Sequence, residues 1–198
     1  MSQKRVPAIF MRGGSSKGVF FHSSDLPEDK NSWDELFLSV LGSPDPYGRQ
    51  LNGMGGGISS LSKAVVISPP TRLDADVDYT FAQISVKDTV VDYSSNCGNL
   101  SSAVGPFAID TGLVDASGMK KEVRIHNTNS GKLIVSKVPL RDGLSEVVGD
   151  FSIPGVSGTG AKVQLDFLDP GGTRTGSLLP TGNTCLLYTS PSPRDNRV

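Results

Sequence analysis

Ser94-Ser95-Asn96-Cys97-Gly98-Asn99-Leu100 leads the first of two cysteines into the start of an apolar helical pattern. From Leu100 onward, the apolar residues recur at the spacing of an amphipathic helix: Leu100, Ala103, Val104, Phe107 and Ala108. This spacing predicts a helix over residues 97–111 that stops at Gly112. The stretch therefore places Cys97 at a helix N-terminus.

A thiol at this position suits a functional role. The free backbone N–H groups and the positive end of the helix dipole stabilise a thiolate, and they can also hold a substrate carboxylate. A lone cysteine equally serves as a small buried apolar residue. Position alone leaves both interpretations of Cys97 open.

Composition narrows the class of protein. The chain has 198 residues, 36% of them hydrophobic, which is enough for one large domain. With 19 basic and 20 acidic residues and no basic run, it has no field that would attract nucleic acid or an anionic membrane. No apolar stretch has transmembrane length and no signal-peptide core follows the N-terminal residues, so we predict a cytoplasmic protein.

The remaining patterns predict an α+β fold. A capping box at Ser32 and Glu35 opens a helix over residues 32–41, which Gly42 closes. Period-two alternation then predicts strands at Val77-Tyr79-Phe81, Val123-Ile125, Leu133-Val135 and Val163-Leu165-Phe167. Few helices and many strands favour a mixed or antiparallel sheet wrapped on a helix.

Two glycine-rich segments supply further candidate residues. Residues 12–18 form a turn between two short strands, where backbone donors together with Arg12 or Lys17 could bind a carboxylate. The second segment, residues 53–57, precedes Lys63, which lies where a loop enters a buried strand. Most lysines are solvated surface groups, but a lysine beside a buried strand can lose its charge and act as a base.

Cysteine and histidine usage predicts neither a disulfide framework nor a metal site. The two cysteines, Cys97 and Cys185, are too few for a framework, and His22 and His126 are far apart. From residue 184 onward the sequence has no periodicity and is similar to the translation of a sequencing-library adaptor. We therefore expect 184–198 to be a non-native tail and exclude Cys185 from the chemistry.

Several spaced motifs together resemble the 2-methylaconitate cis-trans isomerase (PrpF) family over residues 5 to 183. The motifs are the segments 12–18, 42–47, 53–57, 62–63, 96–99, 103–107 and 180–183. The resemblance implies a diaminopimelate epimerase-like fold, with two α+β domains that each curl a sheet around a central helix. The active site would lie between the domains, and residues 1–183 would supply the first domain only.

The resemblance also implies a reaction and a set of site residues. The reaction is a cofactor-independent isomerisation of an unsaturated tricarboxylate in propionate breakdown by the 2-methylcitrate route. Lys63 matches the acid/base lysine of the family and Cys97 the cysteine that faces the substrate, where it either transfers a proton or lines the site. Gly98 and Asn99 would donate hydrogen bonds at the helix start, with Ser16 and Lys17 as weaker carboxylate ligands.

Related reactions remain as alternatives. A 4-oxalomesaconate tautomerase or a methylitaconate-type double-bond isomerase would use similar proton chemistry, although residues 43–47 and 167–170 resemble the methylaconitate branch more closely. A non-enzymatic alternative is a single domain that binds a carboxylate, since a cleft with one wall missing loses positioning and water exclusion. We expect residues 1–198 to be inactive alone, and the sequence leaves homo-oligomerisation open.

Overall fold

The computed structural model describes residues 4–172, 176–177 and 179. It contains two α-helices, α1 (Ser32–Leu41) and α2 (Gly98–Asp110). The strands are β1 (Ile9–Gly13), β2 (Ser16–His22), β3 (Lys63–Ser68), β4 (Val77–Ile84), β5 (Val91–Asp92), β6 (Lys120–Asn127), β7 (Lys132–Arg141), β8 (Leu144–Ser145) and β9 (Gln164–Phe167). The predicted α+β class is confirmed.

The strands form one mixed sheet in the order β1-β2-β3-β4-β6-β7-β8, with β5 paired to β4 and β9 paired to β7. The pairs β2/β3 and β4/β6 are parallel and the other pairs are antiparallel. The parallel pairs arise where the chain leaves the sheet: α1 and the second glycine-rich segment separate β2 from β3, and α2 separates β4 from β6. The sheet is thus mixed, as predicted.

Helix α2 lies in the concave side of this sheet. It contacts β1 and β8, which stand at opposite ends of the strand order, as well as β2, β6, β7 and β9. One helix can touch both ends only because the sheet curls around it. Its apolar stripe packs on inward-facing strand residues that include Phe20, Val65, Phe81, Ile125 and Ile134. The expected sheet around a central helix is confirmed.

A second core lies on the opposite face of the sheet. Trp33, Phe37 and Leu41 of α1 pack against the alternate residues of β2, β3 and β4, namely Val19, Phe21, Ala64, Val66, Ala82 and Ile84. Side chains alternate along a strand, so neighbouring residues of β2 and β3 belong to different cores. This alternation decides which candidate residues lie beside α2.

The predicted capping box of α1 is wrong. Ser32 is the first helical residue and not the cap, because the chain already has helical dihedral angles at Asn31. Asp29 begins the turn: its carbonyl accepts the Ser32 N–H at 3.0 Å and its carboxylate accepts the Asn31 N–H at 3.0 Å. The predicted stop at Gly42 is confirmed, with a left-handed φ of 76°.

The chain divides into two compact units, Met1–Leu168 and Asp169–Val198. In the second unit, the N–H of Gly176 donates to the carbonyl of Gly172 at 2.8 Å. The motif at 180–183, the tail at 184–198 and Cys185 lie outside the described residues. Neither described helix is long and apolar enough to cross a membrane.

Candidate functional site

Cys97 is the N-cap residue of α2, as the sequence predicts. Its side chain makes no capping hydrogen bond, and only 8% of the residue is exposed. The Tyr79 hydroxyl donates to the Cys97 carbonyl at 3.3 Å, and the Ser101 hydroxyl donates to the same oxygen at 2.9 Å. Burial raises the pKa of Tyr79, so this phenol stays a hydrogen-bond donor at neutral pH.

The β1–β2 turn packs directly against the first turn of α2. A Cβ added to Gly13 would lie 2.5 Å from the Asn99 carbonyl oxygen, and one added to Gly14 would lie 2.2 Å from Asn99 Oδ1. Gly13 meets backbone atoms that cannot move aside, so this position requires glycine, and Gly14 has a left-handed φ of 51° that favours glycine. Two motifs that are distant in sequence therefore meet at Asn99.

Lys63 lies at the start of β3, on the face of the sheet that packs against α2. Its register partner is Gln83, and Nζ lies 4.9 Å from the centre of the Phe81 ring. The residue is only 7% exposed. A Cβ added to Gly18 would lie 3.1 Å from the Lys63 carbonyl and 2.9 Å from Leu100 Cδ1. Gly18 thus brings the Lys63 strand up to the first turn of α2.

Gln83 is a site residue that the sequence analysis did not identify. Its Oε1 accepts a hydrogen bond from Lys63 Nζ at 2.7 Å. Its Nε2 donates to the carbonyl of Ser62 at 2.8 Å and to that of Ser59 at 3.1 Å. The sequence does show that Gln83 is a polar residue at the next position on the buried face of Tyr79 and Phe81. It does not show that β3 pairs with β4, which places Gln83 opposite Lys63.

The loop before Lys63 is held by a buried amide. Gln50 is fully buried; its Nε2 donates to Ser43 Oγ at 2.8 Å and Ser62 Oγ at 2.7 Å. Its Oε1 accepts the N–H of Gly57 at 2.9 Å. These bonds join three separate parts of the loop and fix the residue that precedes Lys63.

The structure separates the two weaker candidates in the first glycine-rich turn. Ser16 is buried, pairs with Gly13 and lies on the face of the sheet that α2 covers. Lys17 is exposed and lies on the opposite face, beside its register partner Arg12. Arg12 Nη1 donates to the Gly14 carbonyl at 2.7 Å and so supports the turn itself. Only Ser16 therefore joins Lys63, Cys97, Gly98 and Asn99 at the N-terminal end of α2.

This end of α2 combines the groups that a proton transfer beside a carboxylate needs. The amine of Lys63 donates to a neutral acceptor, and the thiol of Cys97 lies in the apolar core around α2. The first N–H groups of α2 have no partner within the helix, and Gly98 and Asn99 are exposed there, so this helix end can accept an anion. Within the described part of the chain, no group of three histidine, cysteine or acidic residues could hold a metal ion.

Fold and site together define an α+β domain with a buried amine and a buried thiol at the N-terminus of its central helix. A sequence model of the family described as "PrpF protein" matches residues 3–193. The chain belongs to the PrpF family.

Several relatives are named isomerases or tautomerases. The chain is 50% identical to the 3-methylitaconate isomerase of Eubacterium barkeri, over 98% of this chain and 50% of that protein. It is 50% identical to the 2-methyl-aconitate isomerase of Cupriavidus necator, over 91% and 48%. It is 48% identical to the 4-oxalomesaconate tautomerase of Pseudomonas putida, over 93% and 50%. The chain spans about half the length of these relatives.

A solved structure shows the same fold. The crystal structure of a methylitaconate-delta-isomerase superposes with a TM-score of 0.86 at 50% sequence identity. The match covers 91% of this chain and 46% of the other. The arrangement of β1–β9 around α2 is therefore that of this family.

Proposed function

We propose that the complete protein is an isomerase of unsaturated tricarboxylates that interconverts the cis and trans forms of 2-methylaconitate. The observation that carries the proposal is the placement of Lys63 and Cys97, both buried, on the α2 side of the sheet. Relatives that are 50% identical in sequence to this chain and are named isomerases support the reaction class. A role in propionate breakdown by the 2-methylcitrate route belongs to the same proposal.

The reaction we propose moves one proton and changes no oxidation state. The neutral amine of Lys63 takes a proton from a carbon next to the unsaturated carboxylate system, and the electron pair of that C–H bond delocalises over the system. The former double bond gains single-bond character, so the anion can rotate about it. The Lys63 ammonium then returns the proton, and the amine is regenerated.

The anion requires positive partners while it exists. In this proposal, the backbone N–H groups of Gly98 and Asn99 hold a substrate carboxylate at the positive end of α2, and Ser16 adds a hydroxyl. The Phe81 ring beside Nζ favours the ammonium that forms when Lys63 accepts the proton. Cys97 lines the reacting face.

The relatives differ in the substrate for which they are named. Three relatives, one named for each of 2-methylaconitate, 3-methylitaconate and 4-oxalomesaconate, are 48 to 50% identical to this chain. The segments 43–47 and 167–170 support the methylaconitate branch. Incubating the complete protein with each of the three acids in D₂O, followed by proton NMR, tests this choice. Isomerisation with deuterium exchange is expected for 2-methylaconitate, and exchange confined to another acid would replace it.

The domain organisation is also a proposal. We infer that residues 1–183 form the first of two domains and that the second supplies the opposite wall of the site. The length of the relatives supports this, since the chain spans about half of each. The chain of residues 1–198 is then expected to bind a carboxylate weakly without turnover. Sequencing the source DNA beyond codon 183 tests whether 184–198 is native.

A further inference from the structure

We infer that Gln83 is a positioning residue for Lys63, holding its amine on the α2 side of the sheet while leaving it free to exchange a proton; the inference rests on the function proposed above. Lys63 Nζ donates to Gln83 Oε1 at 2.7 Å. The two residues are directly opposite each other on β3 and β4.

The orientation of the Gln83 amide is itself fixed. Its Nε2 donates to two backbone carbonyls, those of Ser62 at 2.8 Å and Ser59 at 3.1 Å. A carbonyl cannot donate, so only the nitrogen of the amide can occupy that side. Oε1 must therefore point toward Lys63. The amide is thus held in the orientation in which its oxygen accepts a hydrogen bond from the amine.

The feature of Gln83 that matters for function is that its side chain carries no charge. Among the residues that the structure describes, no acidic side chain forms an ion pair with Lys63. A carboxylate at the place of Gln83 would favour the ammonium form, which cannot act as a base. A neutral amide binds the amine without selecting the ammonium so strongly.

Other titratable groups of the described chain lie on the face of the sheet that Lys63 shares with α2. They include Tyr79 of β4, the thiol of Cys97 and Asp92 of β5, whose register partner is Gln83. His22 lies at the far end of β2, where its register partner is Ile67. Among the described residues, the neutral Gln83 amide is the group that accepts a hydrogen bond from the amine, at 2.7 Å.

The experiment follows the reactivity of Lys63 in this chain. Wild type, Gln83→Met and Gln83→Glu are labelled with trace acetic anhydride across a pH series, and acetylation of Lys63 is measured by peptide mass spectrometry. Both variants lose the two hydrogen bonds to Ser59 and Ser62, but only Gln83→Glu gains a charge. The difference between the variants therefore isolates the charge of the partner from the loss of the loop contacts.

We expect the labelling midpoint of Lys63 in Gln83→Glu to lie at least about one pH unit above that in Gln83→Met, a tenfold change in proton affinity. We expect Gln83→Met to label at a rate different from wild type, since its amine has lost its acceptor. Gln164→Glu makes the same change at an exposed residue of β9 and should match wild type. Equal midpoints in both Gln83 variants, with wild-type labelling in Gln83→Met, would overturn the inference.

Turnover separates this inference from the proposed function. In the complete protein, Gln83→Glu is expected to move the acidic limb of the kcat/KM profile, where the base loses its proton, to higher pH, whereas a merely structural residue would lower activity without moving it. If wild type turns over none of the three acids, the proposed function fails. The labelling experiment on the Gln83 variants then still tests whether Gln83 positions the Lys63 amine.

Discussion

Asn99 and Ser15 are joined by two contacts across the mouth of the site. The Ser15 N–H donates to Asn99 Oδ1 at 3.5 Å, and Asn99 Nδ2 donates to Ser15 Oγ at 3.3 Å. The first turn of α2 and the β1–β2 turn therefore hold each other in place. The role in substrate binding proposed for Asn99 depends on this docking, and the close approach of Gly13 and Gly14 is part of it.

Gly13→Ala is expected to destabilise the protein by about 1–3 kcal/mol, because the added methyl overpacks a rigid contact. Its Cβ would meet the backbone of Asn99 at 2.5 Å and of Leu100 at 2.9 Å. Chemical denaturation measures the free energy of unfolding. Gly160→Ala is the control, since its nearest neighbour would lie at 3.4 Å. Equal stabilities of the two variants would contradict the close docking of the turn.

Lys63→Ala is expected to abolish turnover of the complete protein while leaving it folded. The variant removes the proposed base together with its bond to Gln83. Turnover is measured by NMR in D₂O and the fold by circular dichroism. Lys17→Ala is the matched control and should keep most activity, because Lys17 lies on the opposite face of the sheet. Near-normal turnover by a folded Lys63→Ala variant would reject Lys63 as the base.

A bound tricarboxylate is expected to slow alkylation of Cys97. The thiol lies at the N-terminus of α2, where the proposed carboxylate site is, and 8% of the residue is exposed. Iodoacetamide labelling of the Cys97 peptide, with and without 2-methylaconitate, measures the protection in the complete protein. Saturating substrate should lower the rate by about tenfold or more if it covers the thiol. An unchanged rate during active turnover would place Cys97 away from the substrate.

Gln50→Ala is expected to cost about 2–3 kcal/mol of stability, because it leaves one buried and two half-buried polar partners unsatisfied. Those partners are Ser43, Gly57 and Ser62, and the last of them precedes Lys63. Urea unfolding measures the loss. The same substitution at exposed Gln164 should change stability by no more than about 0.5 kcal/mol. A loss at Gln50 as small as that would show that the loop does not depend on its amide.

Asp45 gives the protein a pH-dependent stability in acid. The backbone N–H groups of Tyr47 and Arg49 hold the pKa of Asp45 below its ordinary value of 3.8. The folded state thus binds this proton less readily than the unfolded chain, so the stabilisation is present above pH 3.8 and is lost as pH falls through the lowered pKa. Asp45→Asn should lower Tm at neutral pH, and the difference should narrow below pH 3.8. A pH-independent difference in Tm would contradict this.

Local patterns predicted the parts of the fold that depend on neighbouring residues. The helical stripe after Cys97 predicted α2 to within one residue at each end, and the apolar run 64–67 predicted β3, which the structure extends by one residue at each end to include Lys63. The start of α1 was predicted wrongly, because Ser32 and Glu35 have the right spacing while Asp29 makes the bonds. Capping depends on dihedral angles that a residue pattern does not specify.

The sequence by itself determined the α+β class, the helix that carries Cys97, the strand that carries Lys63 and the family. These follow from periodicity and from motifs of adjacent residues. Only the tertiary structure decided that Ser16 and not Lys17 lies beside α2, and that Gln83 binds the Lys63 amine. The physical reason is register: the face that a strand residue occupies and the residue opposite it depend on how distant strands pair, and on which face the helix covers.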